Sequence, residues 1–236
     1  MRGSKLVIAA LLGLLIGGLV VALATGTFSA RGDRKATEEI VRAYILEHPE
    51  IIPEAMNRLQ ARESGKAVNS NRAAFETPYG GAWAGAADAD VVLVEFFDYA
   101  CGFCRKSNAD IDRLLAEDKK LKVVWRELPV LGQDSVNAAQ VSLAAANQGK
   151  FRAFYDALFA AGRPTEASIG AAARSAGVTP APASPAMRAE IEKNYDLART
   201  INASGTPTFV VGGQVLQGAV GYEALKQAIA EARAQA

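Results

Sequence analysis

Two rhythms of apolar residues divide this chain. The run Val91-Val92-Leu93-Val94-Glu95-Phe96-Phe97 is almost wholly apolar, the pattern of a strand buried on both faces. Further strands are predicted at 121–128 and at Thr208-Phe209-Val210-Val211, and Gly212-Gly213 predicts a hairpin turn into Val215-Leu216-Gln217. Elsewhere the apolar spacing is helical. Ile111, Leu114 and Leu115 mark a helix at 108–116, and a helical block runs from Ser135 through Phe151, Phe154, Leu158 and Ile169 to Val178. Pro180, Pro182 and Pro185 punctuate it before a helix at 187–201, and a closing helix spans 222–234.

The order β-α-β, helical block, β-β-α is that of an α/β, thioredoxin-like fold with a helical insertion at about 133–202, in a domain covering 85–236. Upstream, residues 37–62 read as two helices. Thr37 can cap the first, with Glu38 and Glu39 in its first turn and Ile40, Val41, Tyr44 and Ile45 along one face. His48-Pro49 interrupts, and Pro53 suits the first turn of a second helix carrying Ile52, Met56 and Leu59. Two short helices with one apolar stripe cannot build a core, so the stripe must be covered, and self-association is the expected cover. Residues 62–76, charged and small, and the glycine-rich stretch 79–85 read as a tether, which makes 35–76 an oligomerisation segment plus linker.

The first thirty residues add a compartment. Arg2 and Lys5 precede an uncharged apolar stretch, 6–24, ending in Ala22-Leu23-Ala24. This is the form of an export signal, and the stretch is also long enough to stay as a membrane anchor. Gly13 and Gly17 are ordinary for such a segment. Taking Arg2 and Lys5 from the 26 basic residues leaves 24 against 25 acidic ones, a balance that argues against nucleic acid or an anionic membrane surface as partner.

All the cysteine of the chain lies in Cys101-Gly102-Phe103-Cys104, directly after the first strand. A CxxC at a strand-to-helix junction puts the first sulfur at a helix N-terminus, where free N–H groups and the dipole stabilise a thiolate. Thiolates attack disulfides, so Cys101 is the expected nucleophile and Cys104 the resolving thiol, in an oxidising compartment. Zinc would need four ligands, and His48 is the single histidine. A static staple is a poor use of so short a loop. No metal site and no cofactor beyond the redox-active Cys101–Cys104 disulfide are expected. The competing class is a Cu(I)-binding protein using the two thiolates, though only three methionines accompany them.

The stretch from Val94 to Cys104, Glu127-Leu128-Pro129-Val130-Leu131-Gly132, and Gly205-Thr206-Pro207-Thr208-Phe209 together resemble the DsbA-family oxidoreductases over about 88–236. Residues 39–62, containing Ile-Leu-Glu-His-Pro-Glu-Ile-Ile-Pro-Glu-Ala-Met, resemble the N-terminal segment of the ScsC, or suppressor of copper sensitivity, branch, which can mediate trimers and other oligomers. The resemblance implies an exposed nucleophile at Cys101, a buried Cys104, and a cis Thr206–Pro207 turn facing the sulfurs. With no donor on Pro207, the backbone of Thr206 is left to pair with an extended substrate beside Gly102 and Phe103. Glu95 would be the buried acid that relays a proton to or from Cys104; the alternative is a strand residue paired with Arg126 or Lys122. Trp125 and Phe97 read as core.

Phe103 stands where the strongest oxidants of that family carry a histidine, so thiolate stabilisation should be weaker and the disulfide less oxidising. Gly-Phe is closer to the Gly-Tyr of periplasmic isomerases. The expectation is therefore a periplasmic enzyme that isomerises or reduces disulfides in exported clients, reset by a membrane redox partner and assembled as a trimer or dimer through 37–62. A disulfide-donating oxidase is the alternative.

Overall fold

The computed structural model describes residues 30–179 and 181–235. The export or anchor segment predicted for the first thirty residues thus lies, but for Ala30, outside the described residues. Among the described residues no helix is long and apolar enough to cross a membrane. They fall into two compact units, one ending at Arg58 and one beginning at Leu59.

In the first unit, α1 (Ala30–Glu47) starts before Thr37, which lies inside it and not at its cap, and is followed by the predicted break at His48-Pro49; α2 (Ile51–Ser70), with Pro53 in its first turn as predicted, starts in the first unit and ends in the second. The face they form is open: Ile40, Val41, Tyr44, Leu46, Ile52, Met56 and Leu59 are all exposed.

The second unit is built on a five-stranded sheet, ordered β1-β3-β2-β4-β5, from β1 (Trp83–Gly85), β2 (Val91–Phe97), β3 (Leu121–Glu127), β4 (Thr208–Val211) and β5 (Gln214–Gln217). The central pair β2 and β3 is parallel, joined by α4 (Gly102–Glu117); the other pairings are antiparallel. Four helices stand between β3 and β4: α5 (Gln133–Asn147), α6 (Phe151–Ala161), α7 (Glu166–Ser175) and α8 (Pro185–Thr200). Ser184 caps α8 with Pro185 opening it, and Thr165 caps α7, the chemistry that starts helices after irregular chain. The last helix, α9 (Tyr222–Ala234), closes the chain.

Strand alternation sorts the core into two layers. Leu93, Phe97, Val123, Trp125, Phe209 and Val211 meet α4, α5, α6 and α9, in a layer rich in aromatics from Phe151 to Phe159. Val94, Phe96, Val124 and Val210 face the other way, onto Leu197 and Ala198 of α8, onto Ile201 at its C-cap, and onto Val68 and Phe75.

Those last two residues overturn the tether. Residues 62–76 are helical, completing α2 and forming α3 (Arg72–Glu76), and the 79–85 stretch ends in β1 against β3. Ser64, Val68 and Phe75 are buried, and the Ser64 hydroxyl donates to the Ile201 carbonyl at 3.2 Å. The glycines serve close approach: a Cβ on Gly85, whose φ is +98°, would meet the Leu121 carbonyl oxygen at 2.2 Å. Arg126 fastens the region. Fully buried, it donates to the carbonyls of Ala74, Phe75 and Thr77 and to Glu190 and Asn194 of α8. The second unit therefore starts at Leu59, well before the expected residue 85.

Candidate active site

Cys101 is the N-cap of α4: its backbone is extended, and its Sγ accepts the Cys104 N–H at 3.4 Å. Its own N–H is held by the Asp98 carbonyl. The two cysteines are free thiols. Cys101 Sγ lies 3.1 Å from the Thr206 carbonyl oxygen, to which its thiol donates. Thr206–Pro207 is cis, so the turn predicted to face the sulfurs does so. The loop is steadied from β5. Gln217 Oε1 accepts from the Ser204 N–H and the Thr208 hydroxyl, and its amide donates to Asn202.

The nucleophile is less open than expected. Cys101 is 5% exposed, because Thr206 lies over its sulfur, and Cys104 is 0% exposed. Phe103, by contrast, is 66% exposed, and nothing lies within 4 Å of the space a side chain on Gly102 would fill. The approach to Cys101 is thus across a small residue and beside an uncovered phenyl ring.

The two thiols differ sharply in acidity. The hydrogen bond from the Cys104 thiol, opposed by burial and helped by Thr206 and the N–H groups of Cys104 and Phe103, pulls Cys101 down to about 5. This is the depressed range of reactive cysteines, reached without a neighbouring histidine. Burial, then the bond to Cys101 and the charge of Glu95, push Cys104 far up. One sulfur is a thiolate at neutral pH and the other needs a base.

Glu95 supplies a carboxyl nearby. It is fully buried, and burial raises it to about 8 against the hydrogen bond of Tyr155 and the nearby indole N–H of Trp125. The ion-pair alternative fails on strand geometry: Arg126 and Lys122 are even-numbered neighbours on the opposite face of the sheet, and Arg126 is committed elsewhere. Glu95 Oε2 instead accepts from the Tyr155 hydroxyl at 3.3 Å. The indole N–H of Trp125 faces the carboxyl from the paired position on β3 but falls outside hydrogen-bond geometry. Glu95 Oε1 and Trp125 Nε1 therefore have no partner among the described residues.

Three features escaped the sequence reading. Asp98 accepts from the Ala100 N–H and the Ser135 hydroxyl on one oxygen, and from the Val130 and Leu131 N–H groups on the other. One carboxylate thereby ties the residue before the nucleophile to an exposed apolar loop. Its position inside the CxxC-flanking motif was the available signal. The Tyr155 hydroxyl, from α6, lies 3.3 Å from Glu95 Oε2 and 2.7 Å from Asn108 Oδ1 of α4, and Glu127, fully buried and raised to about 7 by burial, accepts from Ser142. Among the described residues no group of three or more His, Cys, Asp or Glu side chains could hold a metal ion.

Residues 92–230 match the DSBA-like thioredoxin domain family, and residues 33–64 match the copper resistance protein ScsC N-terminal domain. A linker-deletion variant of Proteus mirabilis ScsC aligns with a TM-score of 0.73 at 27% identity, over 86% of this chain and 96% of that one. A thioredoxin-like oxidoreductase from Silicibacter pomeroyi gives 0.66 at 35% identity, over 70% and 99%. A periplasmic thioredoxin-like protein from Salmonella enterica gives 0.66 at 28%, over 70% and 97%. The chain spans between 11% and 24% of the length of the curated relatives it matches, among them the Na(+)/H(+) antiporter NhaA 3 of Salinispora tropica, at 31% identity over 64% of this chain and 24% of that protein.

Proposed function

The chain belongs to the DsbA-like thioredoxin-domain family of thiol-disulfide oxidoreductases and is ScsC-like, and from that premise we propose that its Cys101–Cys104 pair isomerises or reduces disulfides in exported periplasmic proteins. The observation that carries thiol-disulfide exchange is the acidity gap between the two sulfurs, Cys101 at about 5 and Cys104 driven far upward, and the Gly102-Phe103 dipeptide, with no histidine beside Cys104, supports isomerisation or reduction over donation. The Cys101 thiolate attacks a client disulfide; one client sulfur joins Cys101 and the other leaves as a thiolate. In isomerisation a second client thiolate displaces Cys101. In reduction Cys104 gives its proton to Glu95 and attacks Cys101, the client departs with both sulfurs reduced, and the pair is left oxidised. A membrane redox partner then returns two electrons to it. Thr206 pairs with the extended client, Pro207 keeps that backbone edge free of a competing donor, and Gly102 and Phe103 form the floor and an apolar contact.

A disulfide-donating oxidase is the second reading, and the acidity of Cys101 favours it, since a stabilised thiolate stabilises the reduced pair. Export to the periplasm is supported by the sequence of the first thirty residues, and assembly into a trimer or dimer by the uncovered apolar face of α1 and α2. Refolding of scrambled ribonuclease, scored beside oxidation of reduced ribonuclease, tests the assignment. Faster gain of activity from the scrambled substrate supports the isomerase, and activity on the reduced substrate alone moves the assignment to oxidase. In the same preparation Cys104→Ala should trap mixed disulfides and Cys101→Ala should not.

A further inference from the structure

Tyr155 is buried at the centre of the aromatic layer, yet its hydroxyl is not idle. It lies 3.3 Å from Glu95 Oε2 and 2.7 Å from Asn108 Oδ1. A phenol has one proton to give and lone pairs to receive with. Two acceptors therefore compete for that proton, and the outcome depends on whether Glu95 carries one of its own. When Glu95 is ionised, the phenol donates to it. When Glu95 is protonated, the acid donates to the phenol oxygen and the phenol donates to Asn108. In the first arrangement Asn108 Oδ1 is left without the phenol's proton; in the second the acid, the phenol and the amide oxygen are bonded in series.

We propose that Tyr155, with Asn108 as its second acceptor, is a positioning residue that holds Glu95 in register for proton transfer with Cys104 in both protonation states. The other oxygen, Oε1, has no partner among the described residues and is left to take the Cys104 proton, which faces the phenol once the carboxyl group turns over. The inference rests on the reading of Glu95 as the base for Cys104. In that step the Cys104 S–H bond breaks, its proton goes to the Glu95 carboxylate, the sulfur forms a bond to Cys101, and the client thiolate leaves with the electron pair of the broken disulfide. Asn108 is half-buried and sits on α4 with both cysteines. The charged and titratable groups around the carboxyl are Cys101 and Cys104 from α4, Tyr155 and Arg152 from α6, and Tyr99 beyond β2. Arg152, which lies over the Trp125 and Tyr155 rings, is itself paired with Asp112 and Asp156.

The test uses the full reduced protein and dithiobis(nitrobenzoate), which loses one coloured thiolate when Cys101 attacks and a second when Cys104 resolves. The rate of the second release is followed against pH. Tyr155→Phe removes the donor to the ionised acid, so the midpoint should rise by about one pH unit, which is about tenfold slower resolution at pH 7. Asn108→Leu, close in shape but without an acceptor, disfavours the protonated arrangement, so its midpoint should fall. Opposite shifts from two neighbouring substitutions are not what a loosened core produces. An unmoved midpoint in Tyr155→Phe, or shifts of the same sign, overturns the proposal; if Tyr155→Phe does not fold, the direction of the Asn108→Leu shift decides. Glu95→Gln with a wild-type profile refutes the base itself and the proposal with it. Absence of any coloured release from the wild type refutes the oxidoreductase reading.

Discussion

At the scale of single residues, the chemistry of the site is a contest between hydrogen bonds and burial, with opposite winners at adjacent positions. Cys101, held near 5, should be alkylated by iodoacetamide with a midpoint close to pH 5, while Cys104 stays unmodified until the protein unfolds. Mass mapping of the labelled cysteine checks both halves. Its folded pKa lies below the unfolded value near 9, so this thiol stabilises the reduced protein fully above pH 9 and loses that contribution as pH falls towards 5. Glu95 has the reverse sign. Its folded pKa, about 8, lies above 4.5, so the native state holds a proton that the unfolded chain releases, and stability is lost as pH rises between those values. Glu95→Gln should therefore gain on wild type by up to about 1.4 kcal/mol per pH unit across that window. Urea melts of the two reduced proteins at pH 5, 6.5 and 8 measure this, and parallel curves would contradict it. The sulfur pair was legible in the sequence because its signal is local, four residues at a strand end. Tyr155 was not, because in the run from Phe151 to Phe159 it reads as one more core aromatic and its partners lie 47 and 60 positions away.

Elements carry the next layer of the argument. The strands, the hairpin, and the helix after the CxxC follow the apolar rhythm, since periodicity reports a face turned to a core. Residues 62–85 broke the rule. Their apolar content is a few well-separated side chains, Val68 and Phe75 foremost, and their glycines look like flexibility but serve close packing. What holds this region is a side chain on another element. Arg126 spends its donors on three carbonyls at the end of α3 and on two side chains of α8. Removing it leaves Glu190 without its buried cation and three carbonyls without donors, so Arg126→Ala should cost about 3–5 kcal/mol. Chemical denaturation reads that loss. The variant should also gain protease sensitivity at 62–77, and cleavage elsewhere first would place the staple wrongly.

For the molecule as a whole, the apolar side chains from Ile40 to Leu59 are exposed and call for a cover. Deleting residues 31–58 should give a monomer by light scattering that still reduces small disulfides, while Ile40→Asp with Val41→Asp should dissociate the intact protein at the same concentration. A truncation that remains oligomeric would locate assembly elsewhere. The cut has to spare Ser64, whose hydroxyl reaches the carbonyl of Ile201 across 137 positions of chain. That span has a consequence for how the protein comes into being. A polypeptide emerges N-terminus first, at about 5–20 residues per second during synthesis, so the segment around Ser64, Val68 and Phe75 waits roughly 7–27 s for the residues that seat it. Until then a nascent chain presents bare apolar side chains to whatever escorts it.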